Sequence, residues 1–171
     1  MLYVRKIRPE KWTGLAKYDS DSISDLGTTN HELSVWRLNS KDDKENIDKV
    51  ALALAMCCDK PAEIMLVLID PDNLKDHKGR SFRMDLSEQE GATRFKKMKD
   101  EHVNFILPSI FELGHLASNI HELLKDISNV RYYNVQELAD LFYEACDRDE
   151  ISPDDVIKSK WGNMLKTRKS G

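Results

Sequence analysis

The sequence predicts a mixed α/β domain with about four strands in one sheet, a βαβ unit in its first half and a helical C-terminal half. Three observations predict it. Residues 2–7 and 33–38 are short runs rich in strand formers. Between 42 and 58, Ile47, Val50, Ala51, Leu54, Ala55 and Cys58 recur at the helical spacing i, i+3, i+4, i+7, i+8, i+11. Residues 64–69 then form a wholly apolar run that stops at Asp70-Pro71-Asp72. A strand, a helix and a buried strand in that order read as βαβ with a parallel pair. An α+β layout of the same elements is the alternative.

The elements follow in order. The first strand, 2–7, is stopped by Pro9, and residues 9–17 hold a helical turn. Residues 18–32 are rich in Asp, Ser and Thr and read as a long loop. The strand at 33–38 has two largely apolar faces, which places it inside the sheet. Ser40 and Asp43 stand at capping-box spacing ahead of the helix at 42–58. Residues 70–87 are polar and basic, and Ser87 to Glu90 signals a helix running to about Asp100. The stretch 102–107 fits strand or helix, with Pro108 closing either. A helix over 110–125 turns Leu113, Leu116, Ala117, Ile120 and Leu124 inward. Residues 129–133 read as the last strand, and Asn134 to Glu137 caps a helix through Cys146. Ser152-Pro153 starts a final helix bearing Val156, Ile157, Trp161 and Met164.

The 171 residues suit a single domain, strand-rich over 1–74 and mainly helical over 75–171 with a basic tail. A chain of this length buries roughly 70% of its unfolded surface without any covalent staple. Three cysteines, Cys57, Cys58 and Cys146, give an odd count without metal-binding spacing. The longest apolar run spans nine residues, 50–58, whereas a membrane helix needs about 20. The first residues carry charge where a signal peptide holds its apolar core. Together these points predict a cytoplasmic protein without a membrane partner.

The net charge is −4, unevenly spread. Residues 75–99 carry eight basic and four acidic groups, 137–155 carry eight acidic groups against Arg148, and 156–171 carry five basic groups and no acidic one. Such blocks attract a charged partner or one another.

The candidate chemistry is sparse. Asp70 and Asp72 end an apolar strand, where two carboxylates suit Mg²⁺ or Mn²⁺. In that reading the protein is a metal-dependent phosphoesterase or nuclease, with Lys75 or Arg80 on the phosphate. The same residues are favoured in a turn, Pro71 following Asp70. Lys75, Arg80, Arg83, Lys96 and Lys97 interleave with Phe82 and Phe95, as phosphate contact and base stacking require in non-catalytic nucleic-acid binding. Glu112 and His115 have the Glu-x-x-His spacing of a di-iron helix, in one copy only. No glycine-rich phosphate loop and no G-x-S-x-G elbow occurs. Arg37, on an interior strand, needs a carboxylate or an open strand end. The leading expectation is therefore an accessory module that acts by binding another macromolecule, a protein first. Trp161, Lys166, Arg168 and Lys169 on the C-terminal segment form its predicted docking surface.

Overall fold

The computed structural model describes residues 1–27, 30–58, 60–88, 98, 100–152 and 161. Its strands are β1 (Leu2–Ile7), β2 (Glu32–Leu38), β3 (Ile64–Ile69), β4 (Asp85–Glu88), β5 (His102–Ile106) and β6 (Val130–Tyr133). Four α-helices are described end to end: α1 (Ser20–Asp25), α2 (Lys44–Met56), α3 (Ile110–Leu123) and α4 (Val135–Asp147). The strands form one six-stranded sheet in the order β4-β5-β2-β1-β3-β6, and every neighbouring pair is antiparallel. No helix among the described residues is long and apolar enough to cross a membrane.

The predicted βαβ unit is corrected. Both β2 and β3 run antiparallel to β1, so they point the same way, yet β1 lies between them. Helix α2 thus makes a split crossover. The apolar run of β3 reports burial on both faces, and helices on both sides of an antiparallel sheet bury it equally well. The predicted four strands become six because β4 and β5 lacked a clear pattern. β5 was ambiguous with helix, and β4 is a mostly exposed edge strand. Ser87 and Glu88 lie in β4 rather than capping a helix, and residues 89–97 lie outside the described residues.

Alternation sorts the side chains onto two faces. Leu2 and Val4, Trp36 and Leu38, Ile64, Leu66 and Leu68, and Tyr133 pack with α2 and α4 in one core. Tyr3 and Ile7, Leu33 and Val35, Val67 and Ile69, and Val103 and Phe105 pack with α3 in the other. The predicted inward face of 110–125 is present, with Leu116, Ala117 and Ile120 buried. Helix α2 begins one residue after Asp43, whose carboxylate accepts from Asn46 N, so Asp43 is its cap instead of Ser40. The predicted loop at 18–32 contains α1, opened by a capping box between Asp19 and Ser22.

Candidate functional site

Helix α4 starts directly after β6, because the Asn134 side chain accepts from Glu137 N and the Glu137 carboxylate accepts from Asn134 N. This tight turn brings α4 back over the sheet beside α2 and leaves a cleft of about 560 Å³ between the start of α2, β6 and α4. Lys41, Asp42, Lys44, Asp48, Arg131, Glu137 and Asp140 supply its charges. A second hollow of about 340 Å³ shares Lys44, Asp48 and Leu141 with it and extends between α2 and α4.

The groups in the cleft differ in how the fold uses them. Asp48 accepts the Tyr133 hydroxyl at 2.7 Å and pairs with Lys44. Burial, the bond to Asp48 and the Asp48 charge all push the Tyr133 hydroxyl far above its ordinary range, so it remains a donor. Glu137 and Asp140 accept from Asn134 N and Gln136 Nε2. The two cations at the β6 start are satisfied by neutral oxygens. Lys41 Nζ donates to Asn129 Oδ1 at 2.5 Å. Arg131 donates to the carbonyls of Ser128 (3.0 Å), Val130 (2.8 Å) and Lys41 (3.0 Å). Neither forms an ion pair with a described residue, although the Lys41 charge helps hold Asp126 low after its bonds to Ser128.

The sequence-predicted residues lie elsewhere. Asp70 caps a short 3₁₀ turn, Pro71–Asn73, accepting from Asp72 N at 3.1 Å and Asn73 Nδ2 at 2.7 Å. Among the described residues no group of three or more His, Cys, Asp or Glu side chains is arranged to hold a metal ion. The polar segment after it is folded. Phe82 N donates to Leu74 O and Asp76 N to Arg80 O, forming a small hairpin with Gly79 in the left-handed region at φ +75°. Asn119 on α3 clamps this hairpin, accepting from Lys75 N at 2.9 Å and donating to Lys75 O at 2.7 Å. His77 stacks on His115, and Phe82 meets His115 edge-on. Arg80 pairs with Asp76, and Arg83 is exposed. Burial pushes the Asp76 carboxyl up, but the Arg80 N–H and guanidinium and the Lys78 N–H overcome it and hold the group at about 2. Lys96 and Lys97 lie outside the described residues.

Trp161 is 1% exposed, and its indole donates to Ala55 O at 3.2 Å, so its ring belongs to the core on α2 and not to the surface. Lys166, Arg168 and Lys169 lie outside the described residues. Glu112 accepts the Ser109 hydroxyl at the α3 cap, and this bond first of all holds its carboxyl below the ordinary range. Arg37 finds its carboxylate in Glu88 of β4, on the far side of β5. Arg5 is more deeply placed, donating to Ser34 O at 3.0 Å and Asp25 O at 3.5 Å. Burial lowers its pKa, and the Asp25 charge opposes that shift.

Lys41, Asp48, Arg131 and Tyr133 were not singled out by sequence reasoning. One signal was present: strand alternation puts Arg131 on the same face as Tyr133, and a charge on a helix-covered face needs a local reason. The convergence of α2 and α4 on that strand carried no sequence mark. No protein-family model, curated protein or solved structure matches this chain.

Proposed function

We propose that this domain works by binding another protein, and that the partner docks where the α2–β6–α4 cleft meets the β6 edge. One observation carries the reading. Among the described residues β6 pairs with β3 alone and ends the sheet, so its outer backbone groups face away from any described strand. Such an edge is a template for another chain. The adjoining cleft supports it, because Arg131 and Lys41 form no ion pair among the described residues. Tyr132, 49% exposed on that strand, adds contact surface of the kind favoured at interfaces.

A photoreactive phenylalanine derivative at position 132 tests this. A control at Phe111, 75% exposed, samples the surface of α3. Position 132 should give an adduct whose partner, purified, binds the wild-type chain again. Identical adducts from both positions would reject the reading. The tail residues Lys166, Arg168 and Lys169 form a separate arm. Removing 162–171 tests them while leaving the core residue Trp161 in place.

A second reading has a specific observation behind it. The hairpin over 74–82 holds exposed Lys75, Lys78 and Arg80 in a fixed arrangement beside exposed Arg83, a surface suited to phosphate or nucleic acid. Binding of a single-stranded oligonucleotide that weakens steeply with salt would favour it. The metal-dependent reading through Asp70 and Asp72 is tested by Asp70→Asn, since Asn keeps the capping oxygen of the turn. A midpoint raised by Mg²⁺ or Mn²⁺ in the wild type alone would support it.

A further inference from the structure

Resting on the protein-binding reading, we propose that the docked segment is an extended peptide that adds an antiparallel strand to β6 and sets an acidic side chain on Arg131 and Lys41. The guanidinium of Arg131 offers five N–H donors, and three bonds to carbonyls anchor it. Anchoring removes the entropy cost of ordering a long side chain at the moment of binding. Donors remain over, and the charge has no described carboxylate against it. A carboxylate is the ligand that suits a guanidinium in geometry and charge. Lys41, whose carbonyl accepts from Arg131, brings a second cation to the same corner.

Two acidic groups of the cleft set the rest of the peptide. Glu137 and Asp140 lie beyond the end of β6, on α4. Cross-strand partners share a face of the sheet. The peptide residue opposite Arg131 therefore points its side chain into the cleft, as does the one opposite Tyr133 two positions earlier in the peptide. A residue two positions earlier again reaches toward Glu137 and Asp140. An antiparallel addition continues the pairing found throughout the sheet, and it fixes the order as a basic residue followed four positions later by an acidic one. The opposite edge of the sheet does not offer this. Strand β4 carries no basic residue, and its Asp85 would repel the same acidic segment.

The test uses two capped peptides of equal composition, Lys-Val-Thr-Val-Glu and Glu-Val-Thr-Val-Lys, each flanked by Thr. They are titrated into the full chain and followed through backbone amide resonances. The first should perturb the amides of Val130 to Tyr133 and bind about fivefold more tightly than the second, the discrimination of one well-placed ion pair. Arg131→Gln should abolish the preference, and Lys41→Gln should reduce it. The amide spectrum of each variant away from the cleft reports whether it has folded. Equal binding of the two peptides, or a preference that survives in Arg131→Gln, would overturn the proposal. Inorganic phosphate is the third arm. If it displaces the peptide while the β6 amides stay still, the corner is a small-anion site and strand addition is wrong. If neither peptide binds while position 132 still crosslinks a partner, this inference fails and the protein-binding reading stands. If position 132 also fails, both fall.

Discussion

The two faces of the sheet treat their polar groups differently. On the α1–α3 face they are spent on the fold. Asp25, its side chain 4% exposed, accepts from Arg8 N and Trp12 Nε1, each at 2.8 Å, and pairs with Arg8 Nε at 3.0 Å. One carboxylate thus ties the end of β1, the turn after it and α1 together. Asn119 does the same for the 74–82 hairpin. On the α2–α4 face Lys49 is spent likewise, on Glu45 and Glu150, but other polar groups collect at the open margin beside β6. There the bonds run to neutral carbonyls or to water-accessible partners. A polar group that satisfies the interior is explained by folding. A charge held in place by neutral atoms at an open edge is available to a ligand.

Substitutions can break or sharpen this contrast. The largest effects belong to the apolar cores. Phe105 packs edge-on against Tyr3 on one face, and Phe142 is buried on α4 on the other. Phe105→Ala and Phe142→Ala should each cost about 3–5 kcal/mol, read from chemical denaturation. Both should lower one shared transition. Two separable transitions would show that the faces are independent units, contrary to a single domain.

The carboxylates come next. Asp25→Ala leaves the Arg8 amide and the Trp12 indole without their acceptor and should cost about 3 kcal/mol, since each buried unpaired donor costs about 1–3. Asp48→Ala, in the cleft, removes one acceptor from the Tyr133 hydroxyl and frees the exposed Lys44, and should cost about 1 kcal/mol. Equal losses in the two variants would remove the distinction between the faces. Asn119→Ala should cost about 1 kcal/mol and speed hydrogen exchange at Lys75 N and Phe82 N, with the sheet amides unchanged. Unaltered exchange at Lys75 would mean that the aromatic contacts of His77 and Phe82 hold the hairpin alone.

The smallest effect is set by pH. Asp76 is held at about 2, below its unperturbed value of 3.8. Its folded form therefore favours the carboxylate, and the stabilisation is complete above the unperturbed value. It is lost as pH falls through about 2. Asp76→Asn should remove that part of the acid dependence. A carboxyl resonance at position 76 that titrates near 4 would refute the assignment.

Much of the secondary structure was legible because it rests on local chemistry. The β3 run, the α2 periodicity and the Asn134–Glu137 capping box each lie within a short window of sequence. The elements that escaped lacked such a signal. In β4, Leu86 is exposed and Glu88 is held by Arg37, so neither apolar alternation nor composition marks a strand. In α1 the sequence Ser20-Asp21-Ser22-Ile23-Ser24-Asp25 has a single apolar residue and reads as loop. Its helix is secured by Asp19 at one end and by the buried Asp25 network at the other. The candidate site was less legible. Asp70 and Asp72 stood out by their position after a strand, whereas the cleft residues come from three elements far apart in sequence.

The sequence by itself determined which segments bury apolar surface and where several helices begin, because periodicity and capping act over a few residues. It also determined that the central strands are covered on both sides. Only the tertiary structure decided that β1 separates β2 from β3 and that Trp161 belongs to the core. It likewise decided that β6 stands last among the described strands, with Arg131 and Lys41 beside a cleft. Those outcomes depend on which strands pair and which helices meet. Pairing is settled by contacts between residues dozens of positions apart, and no local pattern encodes them.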